Sequence, residues 1–202
     1  MTGRQQWGVV AVVVALLGIG LGSASYFMKD QLFPVTLGSK APNFRAKELV
    51  GNQYKTLADY KGQVVVLNVW ATYCGPCQAE LPSFQRLYRE YGPKGLKLVA
   101  VSVDDYVTED SIRTYVNNFG LTFEILHDPT HAIERAYQTT GYPETFVIGR
   151  EGTIRKWVIG AEDWNSQGNR ALVAQLLGLE TPRPVADIGD APRGIAIPRA
   201  RP

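Results

Sequence analysis

The chain's two cysteines stand three residues apart, in Trp70-Ala71-Thr72-Tyr73-Cys74-Gly75-Pro76-Cys77. Thiols at that spacing can close and reopen a disulfide, supply half of a metal site, or lie inert. A permanent staple would achieve little, because a ring with two intervening residues hardly restricts the unfolded chain. The short ring therefore points to reactivity. Gly75 lets the turn close, and Pro76 presets a first-turn helical φ without an N–H that needs a partner. Cys74 is expected at a helix N-terminus, where unpaired N–H groups favour a thiolate. Cys77 would lie one turn further in, able to attack a mixed disulfide formed at Cys74. Trp70, four residues before Cys74, is expected to shield the site.

The metal alternative needs further ligands. The two histidines, His127 and His131, have H-x3-H spacing, but 49 residues separate Cys77 from His127, against about 12–15 in a zinc finger. Both histidines are expected at surface or capping positions. No metal and no other cofactor is expected.

The elements that would position the cysteines can be read from periodicity. Gln63–Trp70 is a nearly continuous β-branched, apolar run, the pattern of a strand buried on both faces. After the cysteines, Leu81, Phe84, Tyr88 and Tyr91 recur at helical spacing up to Gly92-Pro93. Lys97–Val103 is a second strand. Thr108 caps a helix carrying Ile112, Tyr115, Val116 and Phe119, which Gly120 stops. Thr122–Leu126 is a short strand, and Asp128-Pro129 is expected to open a short helix through Ile133 and Tyr137. Thr145–Gly149 and Thr153–Ile159 flank Arg150-Glu151-Gly152 as a hairpin. A last helix runs from near Ser166 to Leu177 and stops at Gly178. This order predicts an α/β fold, a mixed sheet with helices on both faces.

Composition fits one globular domain with tails: 202 residues, 45% apolar and 20% charged. The net charge of +2 is too small to imply nucleic acid or another strongly charged partner. No charged side chain occurs between Arg4 and Lys29, and Trp7–Phe27 would span roughly 31 Å as a helix. Trp7 and Tyr26-Phe27 mark the two interfaces of a transmembrane anchor over 7–27. Arg4 and the amino terminus would hold residues 1–6 in the cytoplasm, leaving the remainder outside. A cleaved signal peptide is the competing reading, with small residues at Ser23-Ala24-Ser25. Either reading exports the domain to where disulfide chemistry is possible. Residues 28–37 read as a spacer, 38–178 as the folded domain, and 179–202 as a disordered tail rich in proline and arginine.

Taken together, the motifs resemble those of a known family. The segment WATYCGPCQAELPSF is similar to the active-site segment of the membrane-anchored thioredoxin-like reductases of the TlpA/ResA/CcmG family. Gly141-Tyr142-Pro143-Glu144-Thr145-Phe146 resembles that family's second hallmark, a cis-proline loop entering a strand. The resemblance covers residues 38–178 and implies a thioredoxin fold with an N-terminal β extension and a central insertion, preceded by one transmembrane helix. It implies that Cys74 and Cys77 form the redox disulfide and that Pro143 is cis and packed against it. Tyr142 would then offer backbone groups to an extended partner segment.

Two carboxylates fall near these motifs. Glu80 follows Cys77 by three residues on the helix, and the family places an acidic residue there to handle the thiol proton. Glu144 follows Pro143 and resembles the Pro-Glu-Thr of the cytochrome-maturation branch. Each is either a solvated surface group or, if partly buried beside the thiols, an acid or base with a raised pKa. Thioredoxins carry a buried aspartate six residues before the first cysteine. Here Asn68 stands in that place, and the proton task passes to Glu80 or water. Ala71 occupies the position where peroxidase relatives need Thr or Ser, which argues against peroxide reduction.

The expected function is that of a membrane-tethered thiol–disulfide oxidoreductase facing the periplasm or cell exterior. Gly75-Pro76 is the dipeptide of reducing thioredoxins. The resemblance implies a disulfide-containing exported substrate, with apocytochrome c in cytochrome c maturation as the leading one. It also implies a membrane electron donor of the CcdA/DsbD type. The alternatives are a general extracytoplasmic reductase, a copper-site assembly factor, or a copper metallochaperone on the same fold.

Overall fold

In the computed structural model, residues 3–27, 34–105 and 107–179 are described. Most of the 28–37 spacer and all but the first residue of the 179–202 tail lie outside them.

The centre of the molecule is β3 (Val64–Trp70), every residue of which is buried. Each fully buried Val or Leu side chain contributes roughly 1.5–3 kcal/mol, so the strand that delivers the cysteine turn is firmly held. β4 (Leu96–Ser102) and β5 (Glu124–His127) continue the sheet in parallel on one side. The antiparallel hairpin of β6 (Glu144–Ile148) and β7 (Ile154–Ile159) continues it on the other. A second hairpin, β1 (Arg45–Glu48) with β2 (Tyr54–Thr56), adds antiparallel to β5. The strand order is β2-β1-β5-β4-β3-β6-β7. This is a thioredoxin-like mixed sheet with an N-terminal β extension.

Among the described residues there are five α-helices: α1 (Gly3–Phe27), α2 (Gly75–Tyr91), α3 (Glu109–Asn118), α4 (Ala132–Tyr137) and α5 (Gln167–Leu177). Their ends follow local chemistry. Thr108 and Ser166 accept N–H bonds from Ser111 and Asn169, and Gly178 adopts the left-handed cap conformation that needs no Cβ. α2 and α5 share one face of the sheet, where Phe84 stacks on Trp164 with centroids 5.0 Å apart. On the other face α4 packs Tyr137 against Phe146 at 4.9 Å.

Two expectations change. Asp128 does not cap α4 directly. Its carboxylate instead accepts from Thr130 and from the Ile133 N–H, and the helix starts at Ala132 behind His131, whose φ is +56°. A short polar turn has replaced the proline-started first turn. The spacer is also shorter than expected, because Val35 is already buried in the core and Gly38 bonds Ile154. The described side chains of α1, Trp7 and Val10–Ser23, are exposed. Among the described residues no helix is long and apolar enough to cross a membrane.

Candidate active site

β3 ends at Trp70 and the chain turns through Ala71–Tyr73 into α2. Cys74 is the N-cap of α2, and its Sγ accepts the N–H of Cys77 at 3.2 Å. The two cysteines are joined as a disulfide. Cys74 is 8% exposed and Cys77 is 0% exposed, so one sulfur reaches the surface and the other lies behind it. A thiolate at Cys74 would face the unpaired N–H groups and positive end of a 17-residue helix.

The turn is held from below by a residue that motif reading did not find. Asp104, buried at the end of β4, accepts the Thr72 N–H on both oxygens at 3.0 and 3.1 Å and the Thr72 hydroxyl at 2.7 Å. Ser102 adds a third donor at 2.6 Å, and His127 Nε2 lies 2.7 Å from the Asp104 backbone carbonyl. Three donors compensate the buried carboxylate. The signal available in the sequence was Ser102-Val103-Asp104, two polar groups alternating at the end of an apolar strand.

His127 is therefore not a surface residue but 7% exposed and bonded beneath the cysteine turn. His131 is half-buried and caps α4. Among the described residues no group of three or more metal-ligating side chains converges.

Trp70 is fully buried and packs on Tyr115 with centroids 5.4 Å apart. The end of a strand buried on both faces leaves its side chain no route to the surface. The exposed aromatic beside the cysteines is Tyr73, at 63%. Gly75 and Pro76 form the first turn of α2, where Pro76 needs no N–H partner.

Glu80 is 2% exposed, one helical turn beyond Cys77. Asn68 Nδ2 donates to its Oε1 at 2.9 Å, while Trp164 Nε1 and the Glu162 N–H donate to Oε2 at 3.2 and 3.4 Å. Burial pushes its pKa up to about 7, against the opposing pull of those three donors. The surface reading of this carboxylate is thus excluded. The same holds for Glu144, which is fully buried, accepts from the Thr140 N–H at 2.9 Å and is bonded by Trp157 Nε1. Its pKa is raised by burial. The two acids lie on opposite faces of the sheet. Thr145 bonds Asn68 on the Glu80 face, so its neighbours Glu144 and Phe146 point the other way.

Glu144 leads directly back to the proline loop. The Tyr142–Pro143 peptide bond is cis. β6 begins at Glu144, which pairs with Val69 of β3, so register brings Pro143 beside the Trp70–Cys74 end of the sheet. Tyr142 is half-buried, and its hydroxyl donates to Glu134 of α4 at 2.5 Å.

A sulfur pair at a helix start on a thioredoxin-like sheet, beside a cis-proline loop, defines a thiol–disulfide oxidoreductase. The chain belongs to the AhpC/TSA family, whose model matches residues 37–157. Among curated relatives, the thiol-disulfide oxidoreductase ResA of Oceanobacillus iheyensis is 38% identical over 137 residues, 66% of this chain and 70% of that protein. ResA of Geobacillus thermodenitrificans is 33% identical over 162 residues, 79% of this chain and 91% of that protein. A DsbE-type thiol:disulfide interchange protein of Chlorobium tepidum shares the fold with a TM-score of 0.60 at 26% identity, over 71% of this chain and 96% of that one.

Proposed function

We propose that this oxidoreductase is tethered by its N-terminal segment to the outer face of the cytoplasmic membrane and reduces disulfides in exported proteins, apocytochrome c foremost. The observation that carries the reading is the asymmetric disulfide, with Cys74 at the surface as helix N-cap and Cys77 behind it. In the reduced protein the Cys74 thiolate attacks a substrate disulfide. A Cys74–substrate bond forms and one substrate sulfur leaves as thiolate. Cys77 then attacks Cys74 Sγ, closing the internal disulfide and releasing the second substrate thiolate. Two electrons pass from the cysteine pair to the substrate. A membrane carrier of the CcdA/DsbD type returns them.

Glu80 supports the second step. It lies one turn from the buried Cys77, and a carboxylate titrating near neutrality can take the thiol proton before attack and return it afterward. The uncharged stretch Trp7–Phe27, expected to span a membrane, supports the tether. Glu144 in Pro-Glu-Thr supports the cytochrome-maturation branch.

Trapping tests the substrate. A Cys77→Ala variant in the native host should retain mixed disulfides on Cys74, and exported proteins carrying C-x-x-C-H should be recovered. Recovery of no exported partner would overturn the reading. Tight stoichiometric copper on the anaerobically reduced protein, lost in Cys74→Ser, would favour the metallochaperone instead.

A further inference from the structure

Beside the disulfide lies a polar network that the exchange chemistry does not use. Glu134 Oε2 accepts the Tyr142 hydroxyl at 2.5 Å and lies 2.7 Å from His131 Nδ1. On its far side His131 Nε2 faces Asp105 Oδ2 at 3.5 Å. The four residues come from three parts of the fold. Tyr142 precedes cis Pro143. Glu134 is in α4, and His131 is its N-cap. Asp105 follows Asp104, which grips Thr72 of the cysteine turn. The chain of contacts thus runs from the loop on one side of the disulfide to the loop on the other.

We propose that His131 and Glu134 are positioning residues for substrate, fixing through Tyr142 the loop that receives a protein segment beside Cys74. This rests on the reading of the protein as a reductase of protein disulfides. The physical reason is preorganisation. Tyr142 and Pro143 present the backbone that an extended segment would pair with, and a loop already held in place loses less entropy when the segment docks. Glu134 is what holds it, because the Tyr142 hydroxyl bonds to no other group in the network. His131 in turn orients Glu134.

The network depends on the charge of His131. A protonated imidazole lies between two carboxylates and donates to both. After proton loss, Nδ1–H can still donate to Glu134, but the Nε2 lone pair faces Asp105 and the two carboxylates repel. The groups facing His131 are Glu134 and Asp105. Tyr142 contributes its hydroxyl, and the Arg135 guanidinium is turned away onto the Thr130 carbonyl. The hydrogen bond that His131 donates to Glu134 raises the His131 pKa above its ordinary value; burial opposes this less strongly, and Asp105 adds to the rise. The loop is therefore held at pH below that raised value and loosens as pH rises through it.

The test uses single turnovers of the pre-reduced full chain. One substrate is a disulfide-bonded peptide and the other a small aromatic disulfide that needs no docking segment. Half-saturation and limiting rate are measured from pH 5.5 to 8.5. For wild type, half-saturation for the peptide should rise about three- to tenfold across the His131 titration, the size expected for losing one hydrogen-bonded contact. In His131→Gln that dependence should flatten. In Glu134→Ala half-saturation should be high at every pH, and Glu134→Gln, which keeps an acceptor for Tyr142, should restore most of it at low pH. The small disulfide should show none of these changes. If wild type reduces both substrates and the three variants match its half-saturation and pH profile, the assignment is overturned. It is equally overturned if the variants slow the small disulfide as much as the peptide. If wild type reduces the small disulfide and not the peptide, the protein-reductase reading fails, and this assignment falls with it.

Discussion

Asn68 donates its side-chain amide to Glu80 across 2.9 Å and to Thr145 across 2.9 Å, in the interior between β3, β6 and α2. Strand position 68, where thioredoxins carry an aspartate, here carries a donor. The carboxylate that the site holds has come from the helix and is aimed at that donor. The buried acid beside Cys77 thus meets a donor, not a second acid, at strand position 68.

Replacing Glu80 should slow the step in which Cys77 resolves the mixed disulfide. Glu80→Gln keeps the shape and loses the proton acceptor, a change worth roughly 10²-fold in general-base steps. The wild-type resolution rate should rise with pH through about 7, and the variant's should not. Quenched-flow decay of a Cys74–peptide adduct measures both.

The same group makes stability pH-dependent. The folded pKa is raised from 4.5 to about 7, so between those values the folded state holds a proton that the unfolded state has lost. Stability therefore falls as pH rises through that window, by about 3 kcal/mol at about 1.4 kcal/mol per pH unit. Urea unfolding of the oxidised protein should show this decline in wild type and a much smaller one in Glu80→Gln.

Truncating Asp104 should loosen the cysteine turn. Asp104→Ala strands the Thr72 N–H and hydroxyl and the Ser102 hydroxyl in a buried site, at a cost of about 2–4 kcal/mol. Denaturant midpoints at constant slope would register the loss. Amide exchange should speed up at Thr72 and remain slow in β3.

After reduction, Cys74 should alkylate at least about tenfold faster than Cys77, because it is the N-cap sulfur and the more accessible of the two. Timed labelling with mass spectrometry reads both sites, and faster labelling of Cys77 would contradict the assigned order of attack.

Removing residues 1–33 should leave the melting temperature of the domain within about 2 °C, because the core cluster begins at Val35. The tether predicts that the full chain sediments with membranes and the truncated one does not. A mature N-terminus near Tyr26 would show a cleaved signal instead.

Local chemistry made much of this protein legible before its coordinates. The nearly all-apolar, β-branched run Val64–Trp70 carried the pattern of an interior strand. Thr108, Ser166 and Gly178 marked helix ends because capping is a matter of one or two residues. Gly75-Pro76 placed Cys74 at a helix start for the same reason. Where the relevant partners are distant in sequence, that legibility stopped. The distance of Trp70 from Cys74 along the chain says nothing about which way a buried strand end faces, so its packing on Tyr115 came only with the tertiary structure. Glu80 and Glu144 looked the same in the sequence as any surface glutamate. Only the packing of Trp164 and Trp157 against them showed that each is enclosed, and on which face of the sheet.

By itself, then, the sequence determined that a reactive cysteine pair starts a helix after a buried strand, since backbone propensity and short-range spacing decide that. The tertiary structure alone decided what surrounds the pair. Asp104 beneath the turn, Asn68 against Glu80, and His131 with Glu134 beside Tyr142 come together through strand register and helix docking. Those contacts depend on which surfaces the folded chain can bury at once.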